Sequence, residues 1–109
     1  MGMRFAPAEV ARYRKMIMRR GLDLATILSE LLAGKDKTRA MEAMQIGGKP
    51  GMKPEEKVRM ALDAVEARRK LIDADDDRYG RCDVCGDDLG ALALGEMPWA
   101  DRCRKHMQS

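Results

Sequence analysis

Two short ligand-type pairs constrain this chain more than anything else in it. The first is Cys82-Asp-Val-Cys85, the second Cys103-Arg-Lys-His106, with seventeen residues between them. Two residues between donors let one tight turn aim both side chains at a single point. Two such turns complete a tetrahedron of sulfur and nitrogen, the donor set that Zn²⁺ prefers. Gly86 follows the second cysteine and permits the positive φ that such a turn uses. The expected ligands are therefore Cys82, Cys85, Cys103 and His106, holding one zinc ion. With all four positions filled by protein, the metal is expected to be structural, with no open position for a catalytic water.

Other uses of these residues fit less well. A Cys-x-x-Cys redox pair belongs beside a βαβ pattern, which the sequence lacks. Three cysteines are an odd set and do not close a disulfide framework. A three-cysteine site completed by water or an external ligand stays open as an alternative to ligation by His106. Three thiolates and Zn²⁺ sum to one negative charge, which Arg81, Arg102, Arg104 and Lys105 are placed to offset or, equally, to leave as ordinary surface charge. Leu89, Leu92, Leu94, Met97, Pro98 and Trp99, between the pairs, are expected to pack as a miniature core, with base stacking as the alternative for Trp99.

The preceding sequence reads as helix. Pro7 and Ala8 open a stripe of Val10, Tyr13, Ile17, Leu24, Ile27 or Leu28, and Leu31, spaced by three and four and interrupted by Arg20. It stops at Ala33–Gly34. Pro54, Glu55 and Glu56 start a second helix, with proline in the first turn and acids at the positive end of the dipole. Its stripe is Val58, Ala61 or Leu62, Val65, and Leu71 or Ile72, running to about Asp77. Each helix should span roughly 35–40 Å at about 1.5 Å per residue. Lys35 to Ile46 has room for a short helix, after which Gly47, Gly48, Pro50, Gly51 and Pro54 exclude regular structure.

The fold class is thus mainly α: an antiparallel helical hairpin of coiled-coil type over 1–77, with an irregular connection at 34–53, then a zinc-finger module over 78–109. With 109 residues and only four aromatics, the chain is short of core, and a metal or partner is expected to help it fold. Met16, Met18, Met41, Met44, Met52 and Met60 should fill gaps in the seam, or cover a partner-facing surface. The acidic run Asp73, Asp75, Asp76 and Asp77 is expected to face solvent or pair with arginines. The beginning of the chain lacks an apolar leader and no stretch approaches a membrane span, so the expected location is the cytoplasm, with no membrane contact. With its one histidine assigned and no nucleophile paired to a base, the chain is not expected to be an enzyme.

The stretch Tyr79-Gly80-Arg-Cys82-Asp-Val-Cys85-Gly86-Asp-Asp-Leu89-Gly90, followed by Leu94, Pro98, Ala100, Asp101 and Cys103, resembles the DksA/TraR zinc-finger family. The resemblance covers about residues 70–109, and the helical pair matches it in architecture. It implies a bacterial transcription regulator that binds RNA polymerase rather than DNA. In that family a helical hairpin enters the secondary channel, a zinc globule braces it, and some members act with the alarmone ppGpp. His106 stands where the family usually has cysteine, and Ala93 where it usually has arginine. At the hairpin tip, Lys35-Asp36-Lys37-Thr38-Arg39-Ala40 is similar to an Asp-x-x-Asp-Arg-Ala pattern, with Lys35 and Thr38 in place of both aspartates. Lys35, Asp36, Lys37, Thr38 and Arg39 are the partner-contact residues that the resemblance implies. The 34–53 segment holds five basic and two acidic groups. Two alternatives follow from the charge and the helices: direct nucleic-acid binding through Lys35, Lys37, Arg39, Lys49 and Lys53, or a protein-interaction adaptor dimerising through its helices.

Overall fold

The computed structural model describes residues 5–47 and 49–106. Gly48 and the outermost residues of both expected units, 1–4 and 107–109, lie outside the described residues. Four helices follow in order: α1 (Pro7–Leu32), α2 (Thr38–Ala43), α3 (Pro54–Asp73) and α4 (Ala91–Glu96). Among the described residues there is no strand, only an isolated antiparallel bridge between Arg81 and Asp88.

α1 and α3 form an antiparallel hairpin. The Arg14 Nε donates to Asp73 Oδ1 at 2.8 Å, and a Cβ built on Gly21 would lie 3.5 Å from Val65. As the chain ascends α1, its neighbours therefore descend α3. The seam is built from Tyr13, Ile17, Leu24 and Ile27 on α1 and from Val58, Val65 and Ile72 on α3, all buried. The expected stripe is there, with one difference. Arg20 and Arg68 also occupy seam positions and are buried, 8% and 5% exposed. Arg20 continues the three–four spacing from Ile17 to Leu24 instead of interrupting it.

The helices are less equal than the sequence suggests. α3 stops at Asp73 rather than near Asp77, because Asp75 takes the left-handed conformation, φ 55°. The Asp76 N–H then donates to Leu71 O at 2.9 Å and the Asp75 N–H to Ile72 O at 3.1 Å. This double closure satisfies carbonyls that the helix end would otherwise orphan. α1 ends the same way at Gly34, and α2 at Gln45. Two members of the acidic run are paired with cations: Asp73, at the end of α3, with Arg14 and Arg69, and Asp76 with Arg78. The Arg78 guanidinium and backbone N–H hold the Asp76 carboxyl down to about 2.

The connection between α1 and α3 folds back on the hairpin. α2 buries Met41, and Met44 and Ile46 pack against the same core. The methionines divide accordingly. Met41 is buried, Met16, Met44 and Met52 are partly covered, and Met18 and Met60 are exposed and fill no gap.

The C-terminal third joins this core rather than standing apart from it. Phe5, Tyr13 and Tyr79 form an aromatic trio with ring centroids 5.7–6.2 Å apart, and Tyr79 and Leu94 are fully buried. Gly80 sits beneath the trio with φ 82°, and a Cβ there would come within 2.9 Å of Phe5. Only glycine combines that backbone conformation with that approach.

Candidate metal centre

The first ligand turn is held by backbone bonds on both sides. Arg81 pairs with Asp88, the Cys82 N–H donates to Asp87 O at 2.8 Å, and the Leu89 N–H donates to Gly80 O at 2.9 Å. Between these rungs the chain turns through Cys82–Gly86. The Gly86 N–H donates to Cys82 O at 2.9 Å, with Gly86 at φ 77°. The Val84 N–H points at the Cys82 sulfur, 3.4 Å away. The second turn closes where the His106 N–H donates to Cys103 O at 2.9 Å. One further bond ties the two turns together: the Asp83 N–H donates to Asp101 O at 2.8 Å.

These turns bring all four expected ligands together. The ligand atoms of Cys82, Cys85, Cys103 and His106 lie within 4.8 Å of one another, a grouping that can hold a metal ion. The spacings test whether an ion fits. A tetrahedron with sulfur–metal bonds of about 2.3 Å and a nitrogen–metal bond of about 2.0 Å has sulfurs about 3.8 Å apart and the nitrogen about 3.5 Å from each sulfur. The Cys85 and Cys103 sulfurs are 3.8 Å apart, and His106 Nδ1 lies 3.5 Å from Cys82 Sγ and 3.2 Å from Cys103 Sγ. These three spacings match edges of such a polyhedron, and all four donors lie within 4.8 Å of one another.

The thiols show the same pressure in their acidity. Burial resists ionisation of Cys82, but backbone N–H groups of Cys103, Cys85 and Val84, with the Cys85 side chain, outweigh it and hold the thiol down to about 6. At Cys85 the backbone near Asp87 favours the thiolate, yet desolvation and the neighbouring sulfurs of Cys82 and Cys103 prevail and raise it to about 11. One thiolate forms readily and its neighbour resists a second negative charge. A cation between them removes that conflict, because ligating thiols are deprotonated by the metal itself.

The centre is anchored to the hairpin by side chains. Arg68 Nη2 donates to both carboxylate oxygens of Asp83 at 3.0 Å, clamping the first ligand turn to α3. The Tyr79 hydroxyl donates to Pro98 O at 2.7 Å, and burial pushes its phenol well above the ordinary value. Arg20 stacks its guanidinium 4.2 Å from the Trp99 ring centroid and donates through Nη1 to Met44 O at 2.9 Å. It thus joins α1, the connection and the loop before the second ligand pair.

The expected miniature core is only partly formed. Leu94 and Pro98 are buried, and Leu89, Met97 and Trp99 are partly covered. Leu92 is 89% exposed, since α4 is a short helix that turns only Leu94 inward. Among the cations near the ligands, Arg81 bonds backbone oxygens of Asp77 and Gly86.

The residues expected at the hairpin tip are not brought to the metal centre. Asp36 Oδ1 accepts from the Thr38 N–H at 3.0 Å and hydroxyl at 2.6 Å, which starts α2 and keeps the Asp36 carboxyl below the usual range. Lys35 and Lys37 both approach Glu30, at 3.8 and 3.3 Å, while Arg39 is exposed. Arg68, Arg20 and Asp83 carry the attachment of the centre, yet in the sequence Arg20 reads only as an interruption of the stripe, and Arg68 and Asp83 do not stand out. Their signal was register: Arg68 lies three residues after Val65 and four before Ile72, where an apolar residue is expected.

No helix is long and apolar enough to cross a membrane among the described residues. No protein-family profile, no curated protein and no solved structure matches the chain.

Proposed function

We propose that this chain holds one structural zinc ion through Cys82, Cys85, Cys103 and His106, and that the braced hairpin is a docking element for a large protein partner, RNA polymerase. The single observation that carries the metal reading is the set of donor spacings, which fit a tetrahedron of three sulfurs and one nitrogen. Zinc is the ion for which that donor set and geometry are most usual. With four protein donors the ion has no open position, so its work is to hold the two turns together.

The partner reading rests on the sequence resemblance to DksA/TraR regulators and on the matching architecture, a two-helix hairpin with a metal module packed across its open end. The tip differs from that family's acidic one. Asp36 is engaged in starting α2, and the segment is net basic, so regulation here would proceed by occupying a surface or channel rather than by delivering carboxylates to a metal. The test is co-sedimentation or pull-down of the metal-loaded chain with purified bacterial core RNA polymerase, with and without residues 35–39 replaced by Gly-Ser. Binding that the replacement weakens supports the reading. Absence of binding to core enzyme, together with an unaltered initiation assay, removes it.

A further inference from the structure

A cleft of about 610 Å³ opens between α1, the end of α2 and the loop that carries Trp99. It lies apart from the four metal ligands. Its walls are apolar, with Met16 from α1, Ala43 and Met44 from α2, and Met97 beside Trp99. Arg20 also lines it. The residue is 8% exposed, and burial pulls its guanidinium below the ordinary value against the opposing effect of the Asp23 charge. Among the described residues no carboxylate lies within ion-pairing distance of it. The Nε of Arg20 and the Nε1 of Trp99 are both buried without a hydrogen-bond partner. Asp23 shares the cleft, but it is turned toward Arg19, with Nε to Oδ1 at 3.5 Å.

Buried charges are ordinarily paired, and buried donors ordinarily bonded, because leaving either unsatisfied is costly. The other seam arginine pairs its charge, Arg68 Nη2 meeting both oxygens of Asp83, although its Nε and Nη1 are buried without partners as well. Arg20 touches a carbonyl oxygen and an aromatic face, and the nearby Asp23 charge favours it without forming an ion pair. Its missing partner is an anion small enough to enter the cleft, on a body apolar enough to lie against three methionines. The volume falls within the range of small-ligand sites. Lys15 and Arg19 at the mouth outweigh Asp23 and Glu96 by one charge once Arg20 is counted, which favours entry of a negative group.

We infer that this cleft is a binding site for a carboxylate on a compact apolar body, the carboxylate pairing with Arg20 beside Trp99 and the body resting on Met16, Met44 and Met97. The carboxylate can come from a free small acid or from an acidic side chain flanked by apolar residues in a peptide. Both present the same chemistry to Arg20.

Trp99 is the chain's one tryptophan, so its fluorescence reports on this site directly. The full metal-loaded chain is titrated with octanoate, with the neutral octanamide, and with the blocked peptide acetyl-Leu-Glu-Leu-amide. The expected result is a saturable Trp99 response to octanoate or the peptide, at least tenfold tighter than to octanamide. Whichever of the two acids binds more tightly identifies the source. Ala43→Phe, which fills the cleft without touching Arg20, should weaken binding at least tenfold, and Arg20→Gln should abolish the preference for acid over amide. Equal affinity for octanoate and octanamide would overturn the proposal, as would undiminished binding to Ala43→Phe. Should Arg20→Gln fail to fold, Ala43→Phe and the acid–amide comparison decide it alone.

Discussion

The hairpin and the C-terminal module reach order by different means. α1 and α3 bury a row of aliphatic and aromatic side chains against one another, and their ends are closed by local backbone bonds. The module contributes only Tyr79, Leu94 and Pro98 as fully buried large side chains, in about a quarter of the chain. Its remaining order comes from ligand turns, a few hydrogen bonds between those turns, and two arginines reaching across from the helices. A segment with so little apolar burial needs a cross-link to hold its backbone, and a metal centre supplies one. The difference teaches where each region is vulnerable: the hairpin to loss of packing, the module to loss of the ion proposed for its four-donor cluster.

The strongest way to break the comparison is to remove the metal. Apparent binding free energies of structural zinc sites are on the order of 10–16 kcal/mol near neutral pH, and this energy serves folding. Chelation, or Cys103→Ser, should therefore abolish amide-exchange protection over residues 80–106 while α1 and α3 keep most of their helical circular dichroism. Equal loss in both regions would mean that the two do not differ as described.

Smaller effects separate packing from polar contacts at the junction. Tyr79→Ala should cost about 3–5 kcal/mol in denaturant unfolding, the usual range for an aromatic removed from a core. Tyr79→Phe removes only the bond to Pro98 O and should cost about 1–2 kcal/mol, leaving one carbonyl unpaired. At the clamp the sign matters more than the size. Asp83→Ala leaves the buried Arg68 charge unpaired, whereas Arg68→Met replaces it with an apolar side chain of similar length. Because Asp83 is half exposed, its loss should cost roughly 1–2 kcal/mol, less than breaking a fully buried pair. Arg68→Met should cost less than that. The reverse order, measured by urea unfolding of the two variants, would contradict a clamp that matters mainly because it neutralises a buried cation.

The smallest effect lies at the far end of the hairpin. Thr38 holds the Asp36 carboxyl below its ordinary value of 3.8, through the hydroxyl first and the backbone N–H second. A group whose folded value is lowered contributes its stability above the unfolded value and loses it as pH falls through the folded one. The turn that opens α2 should therefore keep its exchange protection at Thr38 down to about pH 4 and lose it below. Asp36→Ala should lose it at every pH, with global stability unchanged. A variant as protected as the parent would show that the turn does not depend on this side chain.

Much of this was legible in the sequence for physical reasons that can be named. Ligand spacing is a local property, so the four donors could be identified before their positions were known. The seam was readable because three–four spacing maps directly onto one helix face, and Pro54 with its two glutamates marked the start of α3 to the residue. What stayed hidden depends on partners distant in the chain. Arg20 reads as an interruption until Trp99 and Met44 are seen around it, and Arg68 reads as surface until Asp83 is seen opposite. Met18 and Met60 carry the same residue type as Met41, and only the tertiary arrangement decides which one is covered. The end of α3 at Asp73 turned on a left-handed aspartate, a choice that composition does not announce.

Cobalt substitution offers the most direct measurement of the centre. Co²⁺ titrated into the reduced, metal-free chain should give one equivalence point per chain, with intense visible bands of a tetrahedral site and a near-ultraviolet sulfur-to-metal absorption. Added Zn²⁺ should bleach both. Weak, pale octahedral absorption, or binding that Cys82→Ser, Cys103→Ser and His106→Ala each leave unchanged, would contradict a centre formed by these four side chains.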